Sequence, residues 1–342
     1  MPASGSGILF VAHDPGAKNH LGPLHRVAVE QGYGTRFIDL ADQKCKYDKS
    51  GINEILKADD VVLVVAGCSA NREEWAWITA AHQSGRRSAM LIDIAVGTCL
   101  DHVDPLSAPD RFLVTNEHCV RELEDRGFPS DRVRVTGNPY LECLADSEGL
   151  GSLAADVKRS YGVESHRPIV SVFLPPESVP EGVLERLHAL LLDSPAKDWV
   201  MVVRPHPRGL CHEGFSMQKR CDQLADVVFD GDGAVRTPHL LTSSVCSFSF
   251  GSTVSAESWA LGTPSAFFQI GWEYGALEAL YRNLKGIPRL RAADQVYRFI
   301  SEAMSGDLAT KRAHPVERVA GATLSGWQVL QDLIAQGGVR ES

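Results

Sequence analysis

Ser252, Thr253 and Glu257 follow a short apolar run, Val245 to Phe250, and precede Gly262-Thr263-Pro264. A strand that ends in small hydroxyl residues and opens a helix aims backbone N–H groups, and the positive end of the helix dipole, beyond the strand end. That suits a diphosphate, with Gly251, Ser252 and Thr253 against the phosphate oxygens. Glu257 falls four or five residues into the helix, where its carboxylate is placed to accept hydrogen bonds from the 2′- and 3′-hydroxyls of a ribose. The chemistry on offer is a grip on the nucleotide end of a ligand. Ser and Thr are also ordinary N-caps, and a first-turn glutamate complements any helix dipole, so these residues alone fit a plain surface helix equally well.

Two further groups of residues stand where strands should end. In Val202-Val203-Arg204-Pro205-His206-Pro207-Arg208, prolines fix the backbone on both sides of a histidine. Arg204 and Arg208 offer planar forks for phosphate oxygens, and His206 can donate to a phosphate or leaving-group oxygen. In Val11-Ala12-His13-Asp14-Pro15-Gly16, a turn forced by Pro15 and Gly16 would leave His13 and Asp14 at the lip of a cleft as a histidine–carboxylate general base. The alternative is that Asp14 and Asn19 cap the next helix while His13 packs. Trp272 and Glu273, in Gly271-Trp-Glu-Tyr-Gly275, read as a sugar-facing or lid loop, with the indole as a stacking plane and the carboxylate as a hydroxyl acceptor.

The elements that must position these residues alternate. Short β-branched runs at 8–12, 34–40, 61–66, 88–94, 111–115 and 133–136 are separated by helical patterns at 21–31, 73–84 and 117–126, several ending in glycine. The series restarts with runs at 169–174, 199–203, 227–229, 245–250 and 265–269, and a helix at 181–192. Such alternation predicts α/β architecture with parallel sheets. The polar, glycine-rich stretch from Asp146 to Leu153 marks the junction. The expected division is 1–148, 149–315, and a last helix with its tail at 316–342. Val319, Leu324, Trp327, Leu330 and Leu333 lie at helical spacing there and need a surface to pack on. Ligands of paired domains of this kind bind at the carboxyl ends of the strands, which puts the expected site between the halves.

Composition sets bounds. The 342 residues suffice for two domains with cores of their own. An apolar fraction of 44% and a charged fraction of 23% are those of a globular chain. A net charge of −9 argues against nucleic acid or an anionic membrane as partner, since both require clustered positive charge. No apolar run reaches the length of a membrane span and the amino terminus lacks a signal-peptide pattern, so the expected location is the cytoplasm. The eight cysteines show no Cys-x-x-Cys and no metal-ligand spacing, and are expected to be mostly buried thiols. No metal site is expected.

Thr136-Gly137-Asn138-Pro139, the Arg204-Pro205-His206-Pro207 turn, and Gly251-Ser252-Thr253 with Glu257 and Gly262-Thr263-Pro264 together resemble the GT-B superfamily of nucleotide-sugar enzymes, built from two Rossmann-like domains facing each other across a cleft. Among these they are similar to bacterial capsule and wall-polymer transferases with His-Pro and Ser-Thr motifs. The resemblance implies a glycosyltransferase of polysaccharide biosynthesis. It would move a sugar from a nucleotide donor of UDP or CMP/CDP type to a small-molecule or glycan acceptor, with no cofactor and no metal for the transfer. His206 would meet the donor phosphate or leaving group, Ser252 and Thr253 the phosphate, and Glu257 the ribose. The base would come from the first domain, as His13 or Asp14 with Asp93 in reserve. A homodimer is compatible with it. The Asp/Glu-Asp/Glu-Gly motif of bacterial sialyltransferases is not evident in the first half; Asp230-Gly-Asp-Gly233 has those residue types in the second. Nucleotide-sugar 2-epimerases share the fold and the Gly-Asn-Pro and Ser/Glu elements, although their Gly-Thr-Arg-Pro-Glu and His-x-Glu-Ala-Gly segments are missing. A glycerophosphate-type transferase or a non-catalytic sugar-nucleotide-binding protein are the other readings.

Overall fold

A computed structural model describes residues 7–42, 47–58, 60–69, 71–96, 99–101, 103–147, 153–175, 182–193, 198–206, 214–271, 278–308 and 320–336. The chain divides into two compact units, Met1–Cys143 with Glu317–Ser342, and Leu144–Val316. Each is built on a six-stranded, wholly parallel sheet covered by helices on both faces.

In the first unit the strands are β1 (Gly7–Ala12), β2 (Gly34–Asp39), β3 (Val61–Ala66), β4 (Arg87–Leu91), β5 (Arg111–Val114) and β6 (Val133–Val135), in the order β2-β1-β3-β4-β5-β6. The interior strands are apolar throughout because both faces are buried. Ile8, Phe10 and Ala12 of β1 point to one face with Leu63, Val65 and Leu113. Leu9 and Val11 point to the other, with Val64, Met90, Phe112 and Val114. Helix α1 (Pro15–Glu30) covers the first face; α2 (Lys49–Ala58), α3 (Glu74–Gln83) and α4 (Glu117–Glu124) cover the second.

Helix α1 opens six residues earlier than the sequence suggested. Pro15 and Gly16 do not make a free turn; Pro15 is at the start of the helix, where its missing N–H is no loss and its fixed φ is already helical. Close packing follows. A Cβ at Gly67, just past β3, would come within 2.5 Å of the Ala17 methyl, so α1 can rest on the sheet at this height only because residue 67 is glycine.

The second unit has β7 (Ile169–Phe173), β8 (Val200–Arg204), β9 (Val227–Phe229), β10 (Ser244–Ser249), β11 (Ser265–Phe268) and a two-residue edge strand, β12 (Arg289–Leu290), in the order β12-β11-β10-β7-β8-β9. Sequence patterning gave no sign of β12, which is too short to show a period. One face carries α7 (Val183–Leu192), α8 (Gly214–Asp222) and α12 (Ala293–Met304); the other carries α6 (Ala154–Ser160), α9 (Thr237–Thr242) and α10 (Val254–Ala260). Helices α5 (Pro139–Ala145) and α11 (Glu278–Asn283) complete the described elements before the last one.

That last helix, α13 (Ala322–Ala335), returns to the first unit and sets Trp327, Leu330 and Leu333 into the α1 face. Glu142 of α5 holds its start, taking hydrogen bonds from the Gly321 and Thr323 amides, the latter at 2.7 Å. Leu324, grouped with the packing residues from its spacing, is exposed because the buried stripe is narrower than the periodicity allowed. The expected helix began at 316; residues 309–319, Val319 among them, lie outside the described residues.

Two of the eight cysteines are not thiols. Cys68, after β3, and Cys99, after β4, form a disulfide with a Cα–Cα distance of 6.3 Å. Cys119, Cys221 and Cys246 are buried free thiols, and burial pushes Cys221 and Cys246 up to about 12.

Candidate functional site

The carboxyl ends of the first sheet gather several ionisable side chains. His13 follows β1, and its Nδ1 lies 2.9 Å from Asp14 Oδ1. A carboxylate only accepts, so Nδ1 donates to Asp14 and Nε2 is the ring nitrogen outside this bond. Asp14 is the N-cap position of α1, yet its side chain makes no cap bond; it serves His13 instead. Asn19 lies inside the helix rather than capping it.

Beneath this pair lies Glu74, in the first turn of α3 and 1% exposed. Its Oε1 accepts from the His13 main-chain N–H at 2.9 Å and from the Ser69 hydroxyl, while Oε2 is buried with no partner among the described residues. Burial raises its pKa against the opposing pull of those hydrogen bonds. The Cys68–Cys99 disulfide anchors the residue next to Ser69.

A second group forms around Asp93, past β4. His20, buried in α1, brings Nε2 to 3.1 Å from Asp93 Oδ1, and the Ile94 amide donates to the same oxygen at 2.7 Å. Burial alone would raise the Asp93 carboxyl; the charge and hydrogen bond of His20 outweigh it and hold it below its ordinary value. Oδ2 lies beside the first turn of α1, since a Cβ at Gly16 would sit 3.6 Å from it. Asn138 of the Gly-Asn-Pro turn completes the group. Its Oδ1 caps α5, accepting from the Tyr140 and Leu141 amides at 3.0 Å each, which leaves Nδ2 to donate toward His20 Nε2 at 2.8 Å. At the β2 end, Lys18 reaches Asp39 at 2.6 Å; burial would raise the Asp39 carboxyl, but the Lys18 hydrogen bond and charge together with the Ala41 amide hold it below its ordinary value.

In the second unit Arg204 is the last residue of β8, at the strand end where the sequence placed it. Its side chain turns into the protein and forms a buried ion pair with Asp230, with further bonds to the Thr237 hydroxyl at 3.1 Å, the Tyr161 hydroxyl at 3.1 Å and the Val235 carbonyl at 2.6 Å. The guanidinium is thereby committed to protein acceptors in place of an incoming phosphate. Burial and the Asp230 hydrogen bond push the Tyr161 hydroxyl up, keeping it a donor. His206 is half-buried just beyond the end of β8. Arg208, Trp272 and Glu273 lie outside the described residues.

Gly251, Ser252 and Thr253 are half-exposed at the exit of β10. The backbone N–H groups there face inward: Ser252 N donates to Ser249 Oγ and Val254 N to Ser252 Oγ, both at 3.3 Å, and Ser255, Ala256 and Glu257 donate to main-chain carbonyls of Ser252 and Thr253. Five of the amides at this helix start therefore have internal acceptors. Six of the seven residues of α10 are buried, and Glu257 is the one that is not.

The burial of α10 rests on hydroxyls. Strand β10 turns Cys246, Phe248 and the following Phe250 to one face and Ser247 and Ser249 to the other. Ser247 bonds Ser258 at 2.9 Å, Ser249 bonds Ser255 at 2.8 Å, and Ser265 of β11 donates to Ser255 at 3.0 Å. Directional bonds of this sort fix the height and rotation of a short helix more tightly than apolar contact does. The period-two alternation of Ser with Cys and Phe was the available signal. His20 and Glu74 gave none, because their partners, Asp93 and His13, are 73 and 61 residues away along the chain; the Gly-Asn-Pro turn was visible, but not the pairing of Asn138 with His20, 118 residues away.

No protein-family model matches the chain, and no curated protein matches it in sequence. Solved structures do match. UDP-GlcNAc 2-epimerase from Neisseria meningitidis, bound to UDP-GlcNAc, superposes with a TM-score of 0.69 at 11% identity, covering 97% of this chain and 100% of that one. The fold is of the GT-B kind. The S. aureus MnaA–UDP co-structure gives a TM-score of 0.68 at 11% identity over 98% of this chain and 100% of that one. A glycosyltransferase from Rickettsia africae gives 0.64 at 14% identity over 98% and 100%. Among the described residues no helix is long and apolar enough to cross a membrane.

Proposed function

We propose that this protein is a nucleotide-sugar enzyme, and that it is a glycosyltransferase with the nucleotide held by the second unit. The observation that carries the reading is Glu257: a single half-exposed carboxylate on an otherwise buried helix, locked by serine hydroxyls at the carboxyl end of a parallel sheet. A rigidly placed acceptor suits a ribose diol. Ser252 and Thr253 offer hydroxyls, and His206 a donor, to the phosphates or the leaving oxygen. In the first unit, His13 with Asp14, or Asp93 held by His20, supplies a base for an acceptor hydroxyl. The donor is a substrate, and no further cofactor is invoked.

A 2-epimerase is the second reading. It is favoured by the structural matches, in which UDP-GlcNAc 2-epimerases recur. Its chemistry would use the same first-unit bases on a proton at the sugar C2 in place of an acceptor hydroxyl.

The test is a thermal-shift panel of UDP, CDP, CMP, GDP and ADP, with and without magnesium, on the wild type and Glu257→Ala. A shift for one nucleotide that is lost in the variant supports the reading; no shift from any nucleotide on folded protein removes it. Incubating the matching nucleotide sugar without acceptor then separates the two reactions, because only an epimerase interconverts it rapidly.

A further inference from the structure

The nucleotide reading needs a positive charge for the donor phosphates. Of the arginines the sequence offered, Arg204 is paired with Asp230 inside the unit and Arg208 lies outside the described residues, and the Ser252, Val254, Ser255, Ala256 and Glu257 amides have internal acceptors. A different cation stands at the same end of the sheet.

Arg186 lies in the first turn of α7, the helix that follows β7, and is exposed. Its guanidinium rests on Gly271, three residues past the end of β11. The sheet order β11-β10-β7 places β10 between these two strands. A side chain rooted after β7 that touches the residue after β11 therefore lies beside the carboxyl end of β10, the strand whose exit is Gly251-Ser252-Thr253.

Gly271 has the form that this approach requires. Its φ is +76°, a conformation that disfavours any side chain, and a Cβ there would overlap Arg186 Nη1 and lie 3.2 Å from Cζ. The Nη1 end of the guanidinium thus occupies the space a side chain at 271 would need. Among the described residues Arg186 has no hydrogen-bond or ion-pair partner, in contrast with Arg204, Arg167 and Arg220, whose forks are occupied by carboxylates. An exposed arginine whose Nη1 end abuts a glycine at a sheet's carboxyl edge, with no protein acceptor on its fork among the described residues, fits a ligand with several anionic oxygens. The planar fork can engage two oxygens at once, which a lone ammonium cannot.

We propose that Arg186, seated on Gly271, is a diphosphate-binding residue of the second unit, taking the phosphates of a nucleoside diphosphate or its sugar ester. The inference deepens the nucleotide-sugar reading and rests on it for the identity of the ligand, but not for the anion site itself.

The experiment is calorimetric titration of inorganic pyrophosphate, UDP and uridine into the wild type, Arg186→Ala, Arg186→Lys and Gly271→Ala, with melting curves to establish that each variant is folded. Arg186→Ala should weaken pyrophosphate and UDP by about tenfold or more and leave uridine unchanged, with Arg186→Lys intermediate. Gly271→Ala, which displaces the guanidinium without removing it, should weaken the same two ligands. Wild-type and Arg186→Ala proteins that bind pyrophosphate and UDP equally well would overturn the proposal, as would a wild type that binds neither. Pyrophosphate bound through Arg186 with no preference for UDP would keep the anion site and remove the nucleotide reading instead.

Discussion

His20 Nε2 lies 3.1 Å from Asp93 Oδ1, joining a helix that follows the first strand to a loop that follows the fourth. The same nitrogen is 2.8 Å from Asn138 Nδ2, a donor. Nε2 can donate to Asp93 or accept from Asn138, but not both at once, so the two contacts describe alternative proton positions on one ring. The Asp93 carboxylate, bonded to this ring and to the Ile94 amide, has its second oxygen beside the first turn of a helix.

Replacing His20 with Ala leaves burial at Asp93 opposed only by the Ile94 amide. The carboxyl, now held below 3.8, should rise. In the wild type its stabilising contribution is complete above pH 3.8 and is lost as pH falls through the lower folded value; in the variant that contribution shrinks, so the gap between wild type and variant should be widest above pH 3.8 and close as pH falls. At neutral pH the variant should be less stable by roughly 3 kcal/mol, the cost of leaving one partner of a buried pair behind. Urea unfolding across the acid range and carboxyl carbon titration by NMR check both statements.

Glu74 should behave in the opposite sense. Its folded pKa is raised above 4.5, so below pH 4.5 the proton is carried in both folded and unfolded states, and as pH rises through the folded value the wild type loses stability to a buried carboxylate. Glu74→Gln, which keeps an oxygen for the His13 amide and Ser69, lacks this dependence. The stability difference between variant and wild type should shift in favour of the variant as pH rises from 4 to 8, measured by denaturant midpoints.

Arg204→Ala should cost about 3–5 kcal/mol, because Asp230 is then buried without a counter-charge. Arg204→Lys should recover only part of this, as one ammonium cannot reach Asp230, Thr237 and the Val235 carbonyl together. Guanidinium unfolding of the three proteins decides it. A residue acting mainly as a phosphate contact would change ligand affinity and leave stability alone.

Ser255→Ala should destabilise the protein by about 1–3 kcal/mol, since Ser249 and Ser265 both bond this hydroxyl in a buried setting. The melting temperature is the direct readout. The affinity for whichever nucleotide binds should fall with it, because the hydroxyl fixes the helix that carries Glu257.

Reducing the Cys68–Cys99 bond should remove about 3–4 kcal/mol, the loop-closure contribution expected for a separation of 31 residues. Cys99→Ser should reproduce the loss without reductant. Paired urea curves with and without dithiothreitol measure it, and no change on adding reductant to the Cys99→Ser protein serves as the control.

The alternating apolar runs and glycine-ended helices determined the parallel α/β architecture without reference to any contact, because strands buried on both faces and helices buried on one must carry their periodicity in the chain itself. Eleven of the twelve strands have the length to show it; β12, with two residues, does not. Local geometry was legible too: Asn138 caps its helix, and Pro139 follows it as a first helical residue should. What the sequence left open was the direction in which each polar side chain turns. Arg204 reads as a free cation until Asp230, 26 residues on, is brought beneath it. His20 reads as one more helix residue until Asp93 arrives from another strand. Cys68 and Cys99 look like two thiols among eight. Sequence spacing encodes neighbours one turn or one strand step apart; pairings between elements depend on sheet order and on which loop ends at the same edge. Those are consequences of the folded chain's topology, so the ion pairs, the disulfide and the seat of Arg186 on Gly271 became determinate only there.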